Sequence, residues 1–207
     1  HHCRRRRADP GTGTAWAQIA AGVSHSCAIR TDGTLWCWGL NGNGRLGDGT
    51  TTQRTTPTQV GGGTVWAQVS AGTSHTCATR TDGTLWCWGL NTNGQLGDAT
   101  TTQRLTPTQV GTGTAWAQVD AGARHTCATE LGGALWCWGL NTNGRLGDGT
   151  TTQRTSPVQV GVATTWALVS AGTSHTCAAR TDSTLWCWGL NTNGPLGDGT
   201  PTQRTTP

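Results

Sequence analysis

The chain repeats itself every 50 residues. Trp16, Trp66, Trp116 and Trp166 fall at that interval, as do His25, His75, His125 and His175. The pairs Trp36/Trp38, Trp86/Trp88, Trp136/Trp138 and Trp186/Trp188 keep the same step. A fixed period of this size makes the fold a succession of one supersecondary unit, each burying its apolar face against the next. Helical solenoids repeat at shorter periods and carry a helical apolar pattern, which no segment here shows. The expected fold is all-β: a β-propeller of four four-stranded blades, at 15–64, 65–114, 115–164 and 165–207. A disordered basic head at 1–14 precedes them.

The second unit shows how one blade is written. Trp66-Ala67-Gln68-Val69-Ser70 is a short strand closed by Ala71-Gly72, and His75-Thr76-Cys77-Ala78-Thr79 is the next. Arg80-Thr81-Asp82-Gly83 turns the chain into Leu85-Trp86-Cys87-Trp88, since Asp-Gly between two such runs is a strong hairpin signal. Thr108-Gln109-Val110, after Pro107, is expected as a fourth strand at the blade edge, where proline is tolerated. Between strands three and four runs a long loop, Gly89 to Pro107, with Leu90 and Leu96 as anchors to the blade and Gly94 and Gly97 in tight turns.

Eight of the nine cysteines fall in pairs ten residues apart: Cys27/Cys37, Cys77/Cys87, Cys127/Cys137 and Cys177/Cys187. A three-residue hairpin loop around Asp82 sets Cys77 opposite Cys87 on one sheet face. The same register sets Thr76 against Trp88 and Ala78 against Trp86 on the other. Directly opposed strand residues come close enough for a disulfide. Four such bridges imply an oxidising compartment; the alternative is buried free thiols. Cys3 is left over.

Composition narrows the classes. There is no Lys, Met, Phe or Tyr, and twelve Trp supply all the aromatic mass. Charged residues are only 12%, which argues against a charge-rich disordered chain. The net charge of +4 comes from Arg4, Arg5, Arg6 and Arg7; without them ten Arg balance ten acidic residues. A neutral repeat body argues against a nucleic-acid surface. No run of apolar residues is long enough for a transmembrane helix. The head has no apolar core of a signal peptide, and the interrupted repeat at both ends suggests a fragment.

The strings Ala-Gly-Thr-Ser-His-Thr-Cys-Ala, Thr-Asp-Gly-Thr-Leu-Trp-Cys-Trp-Gly and Asn-Gly-Gln-Leu-Gly-Asp resemble the regulator-of-chromosome-condensation repeat, in all four units over roughly residues 15–207. The resemblance implies a seven-bladed propeller, of which four units are an incomplete, open portion. It also brings a range of functions: a nucleotide exchange factor for the Ran GTPase, a plant UV-B receptor and a secreted β-lactamase inhibitor. The paired cysteines point to the secreted bacterial branch. Light sensing would want Trp just after the Gly of Gly-x-x-His, where this chain has Val23, Thr73, Ala123 and Thr173.

Chemistry is sparse. His75, Cys77 and Cys87 lack a fourth zinc ligand, and the bland role for His75 is a bond to a nearby backbone carbonyl. Asn91, Asn93 and Asp98 lack the acidic run of a calcium loop. Near-identical units do not supply the differentiated roles of an active site, so no catalysis, cofactor or metal is expected. The breaks in symmetry are Arg45, Gln95, Arg145 and Pro195 at one loop position, and Asp120, Arg124 and Glu130 in the third unit. Together with Arg54, Arg104, Arg154 and Arg204, one cation per blade, these (Asp120 and Pro195 aside) are the candidate contacts for a protein partner. The expected function is a non-enzymatic scaffold for protein–protein interaction, extracellular or at the cell surface. The alternatives are a GTPase regulator of the exchange type and a structural repeat region of a larger secreted protein. Further blades or self-association would cover the open ends.

Overall fold

The computed structural model describes residues 15–113 and 115–207; the basic head, with Arg4–Arg7 and Cys3, lies outside the described residues. Blade 1 contains β1 (Trp16–Ala21), β2 (His25–Arg30), β3 (Leu35–Gly39) and β4 (Arg54–Val60). Blade 2 contains β5 (Trp66–Ala71), β6 (His75–Arg80), β7 (Leu85–Gly89) and β8 (Arg104–Gln109). Blade 3 contains β9 (Trp116–Ala121), β10 (His125–Glu130), β11 (Leu135–Gly139) and β12 (Arg154–Gln159). Blade 4 contains β13 (Trp166–Ala171), β14 (His175–Arg180) and β15 (Leu185–Gly189), with one further bridge, Gly189 to Arg204, where a fourth strand would begin. Neighbouring strands are consecutive and antiparallel in every sheet.

The hairpin register is the one the cysteine spacing requires. Cys77 opposes Cys87, Thr76 opposes Trp88 and Ala78 opposes Trp86. The Asp82 carboxylate accepts from the backbone and hydroxyl of Thr84 at 2.9 and 2.6 Å, and Gly83 takes a positive φ of 78°. The fourth strand differs from expectation by starting at Arg104 rather than after Pro107, with a bulge between Cys87 and Gly89 of its partner. Proline sits inside it without penalty, because β8 is the outermost strand of the sheet.

Each blade has two unlike faces, since alternate strand residues point to opposite sides. One carries the disulfide; the other carries tryptophan. Between blades 1 and 2, Cys27, Cys37, Leu35 and Val60 pack against Trp66, Val69, Ala78 and Trp88. The arrangement recurs between blades 2 and 3 and between blades 3 and 4. Trp66 and Trp88 meet at 5.9 Å and 59°, a tilted pair of the kind aromatic rings favour. Burying each indole contributes about 4–6 kcal/mol as an upper bound. The arc is open. Trp16 of blade 1 is 45% exposed where Trp66 is 2%, and Leu185 of blade 4 is 72% exposed where Leu35, Leu85 and Leu135 are fully buried.

Candidate functional site

The four cysteine pairs are joined as Cys27–Cys37, Cys77–Cys87, Cys127–Cys137 and Cys177–Cys187. The sulfurs are therefore not thiolates available to His75. Among the described residues no three or more His, Cys, Asp or Glu side chains converge as metal ligands.

The long loops between the third and fourth strands have an asparagine at their centre. Asn91 is fully buried; its amide donates to Asp98 Oδ1 at 3.0 Å and to the Thr100 and Thr102 carbonyls at 3.1 Å, and its Oδ1 accepts from the Leu96 N–H at 3.0 Å. Asn41, Asn141 and Asn191 repeat the bond to the loop aspartate and that from the loop leucine N–H. Asp98 in turn pairs with Arg104 at 2.7 Å. Burial pushes the Asp98 carboxyl up, but the bonds from Thr100, Arg104 and Asn91 outweigh it, and the group titrates below the ordinary carboxylate range. The Asn and Asp that suggested a cation loop thus satisfy one another.

Each of the first three loops is fastened to the following blade as well as to its own. Leu46 and Leu96 are buried against Trp66 and Trp88, and against Trp116 and Trp138, respectively. Leu90 is half-buried, and its backbone N–H donates to the Ser74 carbonyl of its own blade at 2.9 Å. The Gln95 carbonyl accepts from Thr126 Oγ1 at 2.8 Å and from Trp138 Nε1 at 3.0 Å. Because the Thr126 proton goes to that carbonyl, His75 Nε2, 2.9 Å away, must be the donor to Thr126 Oγ1. This corrects the expected bond from histidine to a nearby backbone carbonyl: the imidazole reaches the hydroxyl of the next blade. His25 meets Thr76 and His125 meets Thr176 in the same way. Nδ1 of His25, His75 and His125 is buried without a partner, so a second proton would have nowhere to bond. Burial, aided by the charge of His25, pushes His75 down to about 3. Gly97 marks how close the loop comes, since a Cβ there would lie 2.7–3.0 Å from the Trp138 ring.

Arg45, Gln95 and Arg145, expected at the loop surface, are instead buried. Arg45 and Arg145 donate to the carbonyls of Thr73 and Thr173 in the next blade at 2.9 and 2.8 Å, and to their own Asn43 and Asn143 at 2.7 Å. Gln95 accepts from the Asn93 N–H at 2.9 Å. Their burial within the arc withdraws them from direct contact with a partner, although Gln95 Nε2 and the Nε atoms of Arg45 and Arg145 find no hydrogen-bond partner there among the described residues. Arg54, Arg104 and Arg154 remain about one-third exposed beside their aspartates, and Arg204 is more open. Each follows an exposed stretch: Thr51-Thr52-Gln53, Thr101-Thr102-Gln103, Thr151-Thr152-Gln153 and Pro201-Thr202-Gln203.

The third blade's distinctive residues do not come together. Arg124 is exposed at the loop end of β10, and Glu130 lies at its other end, roughly 20 Å away at strand rise. Arg30, Arg80 and Arg180 occupy the positions equivalent to Glu130, and each lies over two indoles; the Arg80 guanidinium is 3.8 Å from Trp86 and 4.9 Å from Trp66. Asp120 has a packing role, accepting from Ser70 Oγ at 2.8 Å and the Ala171 N–H at 2.7 Å. At the inner end Gly22, Gly72, Gly122 and Gly172, with Val23, Thr73, Ala123 and Thr173, line a shallow cavity of about 340 Å³. The asparagine hub and the histidine–threonine staple were missed by sequence reasoning; their signal was the recurrence at the 50-residue step of Asn41, Asn91, Asn141 and Asn191 and of Thr76, Thr126 and Thr176, with Ser26 in the first unit.

Comparison with known proteins places this geometry. The family model for the RCC1-like domain matches residues 4–207. Human WBSCR16 superposes with a TM-score of 0.84 at 25% identity, covering 95% of this chain and 53% of that one. Prp20p from Saccharomyces cerevisiae, whose structure was solved with its binding properties to Gsp1p and histones, gives 0.84 at 19% identity over 96% of this chain and 51% of that one. A 42-residue stretch is 48% identical to the Ras guanine nucleotide exchange factor C of Dictyostelium discoideum, covering 20% of this chain and 3% of that protein. The chain thus spans about half the length of these solved propellers and a small part of that exchange factor.

Proposed function

The chain belongs to the RCC1-like domain family, and on that premise we propose that it is a non-enzymatic scaffold for binding a protein partner, outside the cell or at its surface. The observation that carries this reading is a rigid loop repeated in every blade. The buried asparagine holds it in every blade and the interblade staple fastens it in the first three, while Thr51-Thr52-Gln53 and its counterparts stay exposed beside a half-exposed arginine. Loops fixed on a rigid scaffold are where binding is commonly found. Pre-ordering also lowers the entropy lost on association. The strip offers hydroxyls, carboxamides and one partly neutralised guanidinium per blade, with Arg124 beside it as an unmatched cation. The four disulfides support an oxidising compartment, and with them the secreted branch of the family. Glu130, on the opposite rim, lies outside this proposed surface.

The test is capture from the extracellular fluid of the source organism by immobilised chain, compared with a variant in which the exposed Gln53, Gln103, Gln153 and Arg124 are all Ser. Loss of the captured protein with unchanged unfolding is expected. Equal capture by both forms sinks the assignment of this surface.

A second reading is favoured by what the relatives are: an exchange factor for a Ras-type GTPase and a protein studied for binding to Gsp1p. Release of labelled GDP from a GTPase, accelerated by the reduced chain, would support it. Dependence of folding on the disulfides would count against it.

A further inference from the structure

At the rim opposite the long loops, three blades lay a guanidinium over two indoles, and the third blade does not. Arg30 lies 5.0 and 4.0 Å from Trp16 and Trp36, Arg80 lies 4.9 and 3.8 Å from Trp66 and Trp86, and Arg180 lies 4.6 and 4.4 Å from Trp166 and Trp186. Blade 3 keeps the indoles, Trp116 and Trp136, but has Glu130 in place of the arginine. We propose that Trp116, Trp136 and Glu130 bind an arginine side chain of a partner protein, which takes the place that the chain's own arginine holds in the other blades. Blade 3 packs against a blade on either side, so this site does not depend on the open ends of the arc.

The backbone is unchanged by the substitution. Glu130 pairs with Trp116 as Arg80 pairs with Trp66. The Glu130 N–H donates to the Ala134 carbonyl at 2.9 Å and the Gly133 N–H to the Glu130 carbonyl at 2.8 Å, against 2.9 and 3.0 Å for the same bonds in blade 2. A carboxylate therefore leaves the strand where a guanidinium leaves it elsewhere. The tether of the outer indole is lost as well. In blade 2 Trp86 Nε1 donates to Thr84 Oγ1 at 2.8 Å, and that hydroxyl donates to Asp82 at 2.6 Å. Blades 1 and 4 have the same relay. Blade 3 has Ala134 for the threonine and Gly132 for the aspartate, and Trp136 Nε1 is buried with no partner among the described residues. Without tether or guanidinium, Trp136 meets Trp116 edge-on at 6.5 Å and 73°. An entering cation swings this free ring aside to the position that Trp86 holds in blade 2.

Charge selects the occupant. In blades 1, 2 and 4 the arginine is matched by the turn aspartate, Asp32, Asp82 or Asp182. Blade 3 has neither, and Glu130 stands there as a single carboxylate. Among the described residues the ion pairs are those of the long loops, and none involves Glu130. Glu130 and Trp136 are only half-buried, so a side chain from outside can reach them. A guanidinium stacks on aromatic faces and pairs two-pronged with a carboxylate, which an ammonium does not. Leu131, 77% exposed where the other blades have Thr31, Thr81 and Thr181, adds an apolar surface for the stem of that arginine. The site lies on the rim away from the threonine–glutamine strips, and its test needs no captured protein, so the two assignments fail separately.

The probe is N-acetyl-arginine amide, titrated at pH 7 into the isotope-labelled 207-residue chain. The Trp136 indole N–H resonance, identified by its loss in Trp136→Phe, should shift to saturation with a Kd of about 1–10 mM. The corresponding citrulline amide, which is uncharged, and lysine amide, which cannot stack or pair two-pronged, should each bind about tenfold more weakly or worse. Glu130→Gln should weaken the arginine probe about tenfold. Glu130→Arg should abolish its binding, because the chain then fills the site itself, and should keep the unfolding midpoint and all four disulfides. Four results overturn the proposal: no saturable shift at Trp136; equal binding of the citrulline or lysine amide; binding undiminished in Glu130→Gln or Glu130→Arg; and binding that appears only when Arg4, Arg5, Arg6 and Arg7 are all replaced by Ser, which would make the chain's own head the occupant.

Discussion

Replacing Leu96 by Ala tests the loop staple against a control inside the same molecule. Leu96 is 1% exposed and packs with Leu85, Val110 and the Cys77–Cys87 bridge on one side, and Trp116, Val119 and Trp138 on the other. Removing three carbons from such a site costs about 2–5 kcal/mol, the larger values where the walls cannot relax. These walls are held: Trp138 is tied to the Gln95 carbonyl and Trp116 meets it edge-on at 6.1 Å and 62°. A loss of about 3–4 kcal/mol is therefore expected. Leu196→Ala, the same change in the same loop motif, removes a side chain with no blade beyond it and should cost less than about 1 kcal/mol at concentrations where the chain is monomeric. Urea unfolding followed by tryptophan fluorescence reads the difference. Hydrogen exchange in β9 and β10 reads it locally, as a rise of roughly a hundredfold or more in the opening equilibrium for Leu96→Ala. Equal losses at the two positions would show that the loops stabilise their own blades and that the interblade staple is not the source of rigidity.

Three further outcomes follow from the geometry. Acid should weaken the arc well above the carboxylate range. Burial first, then neighbouring charge, holds His75 and His125 near 3 and His25 near 4, against about 6.5 when unfolded. The unfolded chain takes up these protons first, so stability is complete above pH 6.5 and is lost as pH falls toward 3–4. By pH 5 the two deeper histidines together cost about 4 kcal/mol, and a urea midpoint that stays flat from pH 7 to 5 would contradict this. Reduction should open Cys177–Cys187 before the other three, because those six cysteines are fully buried between blades while the last pair is partly exposed; timed alkylation and peptide mapping reveal the order. Thr126→Val should cost about 1–3 kcal/mol, since it leaves His75 Nε2 without its acceptor while the Gln95 carbonyl keeps Trp138 Nε1, whereas Thr106→Val, on the exposed edge, should be near neutral by the same urea assay.

What lies within one blade was legible in the sequence. Asp82-Gly83 set the turn, the ten-residue step of Cys77 and Cys87 set the register, and the opposing small and large residues confirmed which face was which. What lies between blades was not. Arg45, Gln95 and Arg145 vary, and variation suggested exposure; the structure buries them because only their backbone carbonyl is required at the interface, while the side chain needs merely some internal partner. His75 and Thr126 are 51 residues apart, and no local pattern joins them. Their link emerges only when each unit is compared with its successor. The start of the fourth strand was misplaced because Pro107 was taken as its boundary, although an outermost strand has no need of that N–H.

The account rests on disulfide-closed blades, since these fix both the packing of cystine on tryptophan and the proposed location outside the cell. Chain isolated from its natural source should be alkylated while denatured and unreduced, then digested and mapped by mass spectrometry. The account predicts linked pairs Cys27–Cys37, Cys77–Cys87, Cys127–Cys137 and Cys177–Cys187 with none of the eight alkylated. Eight alkylated cysteines would contradict it.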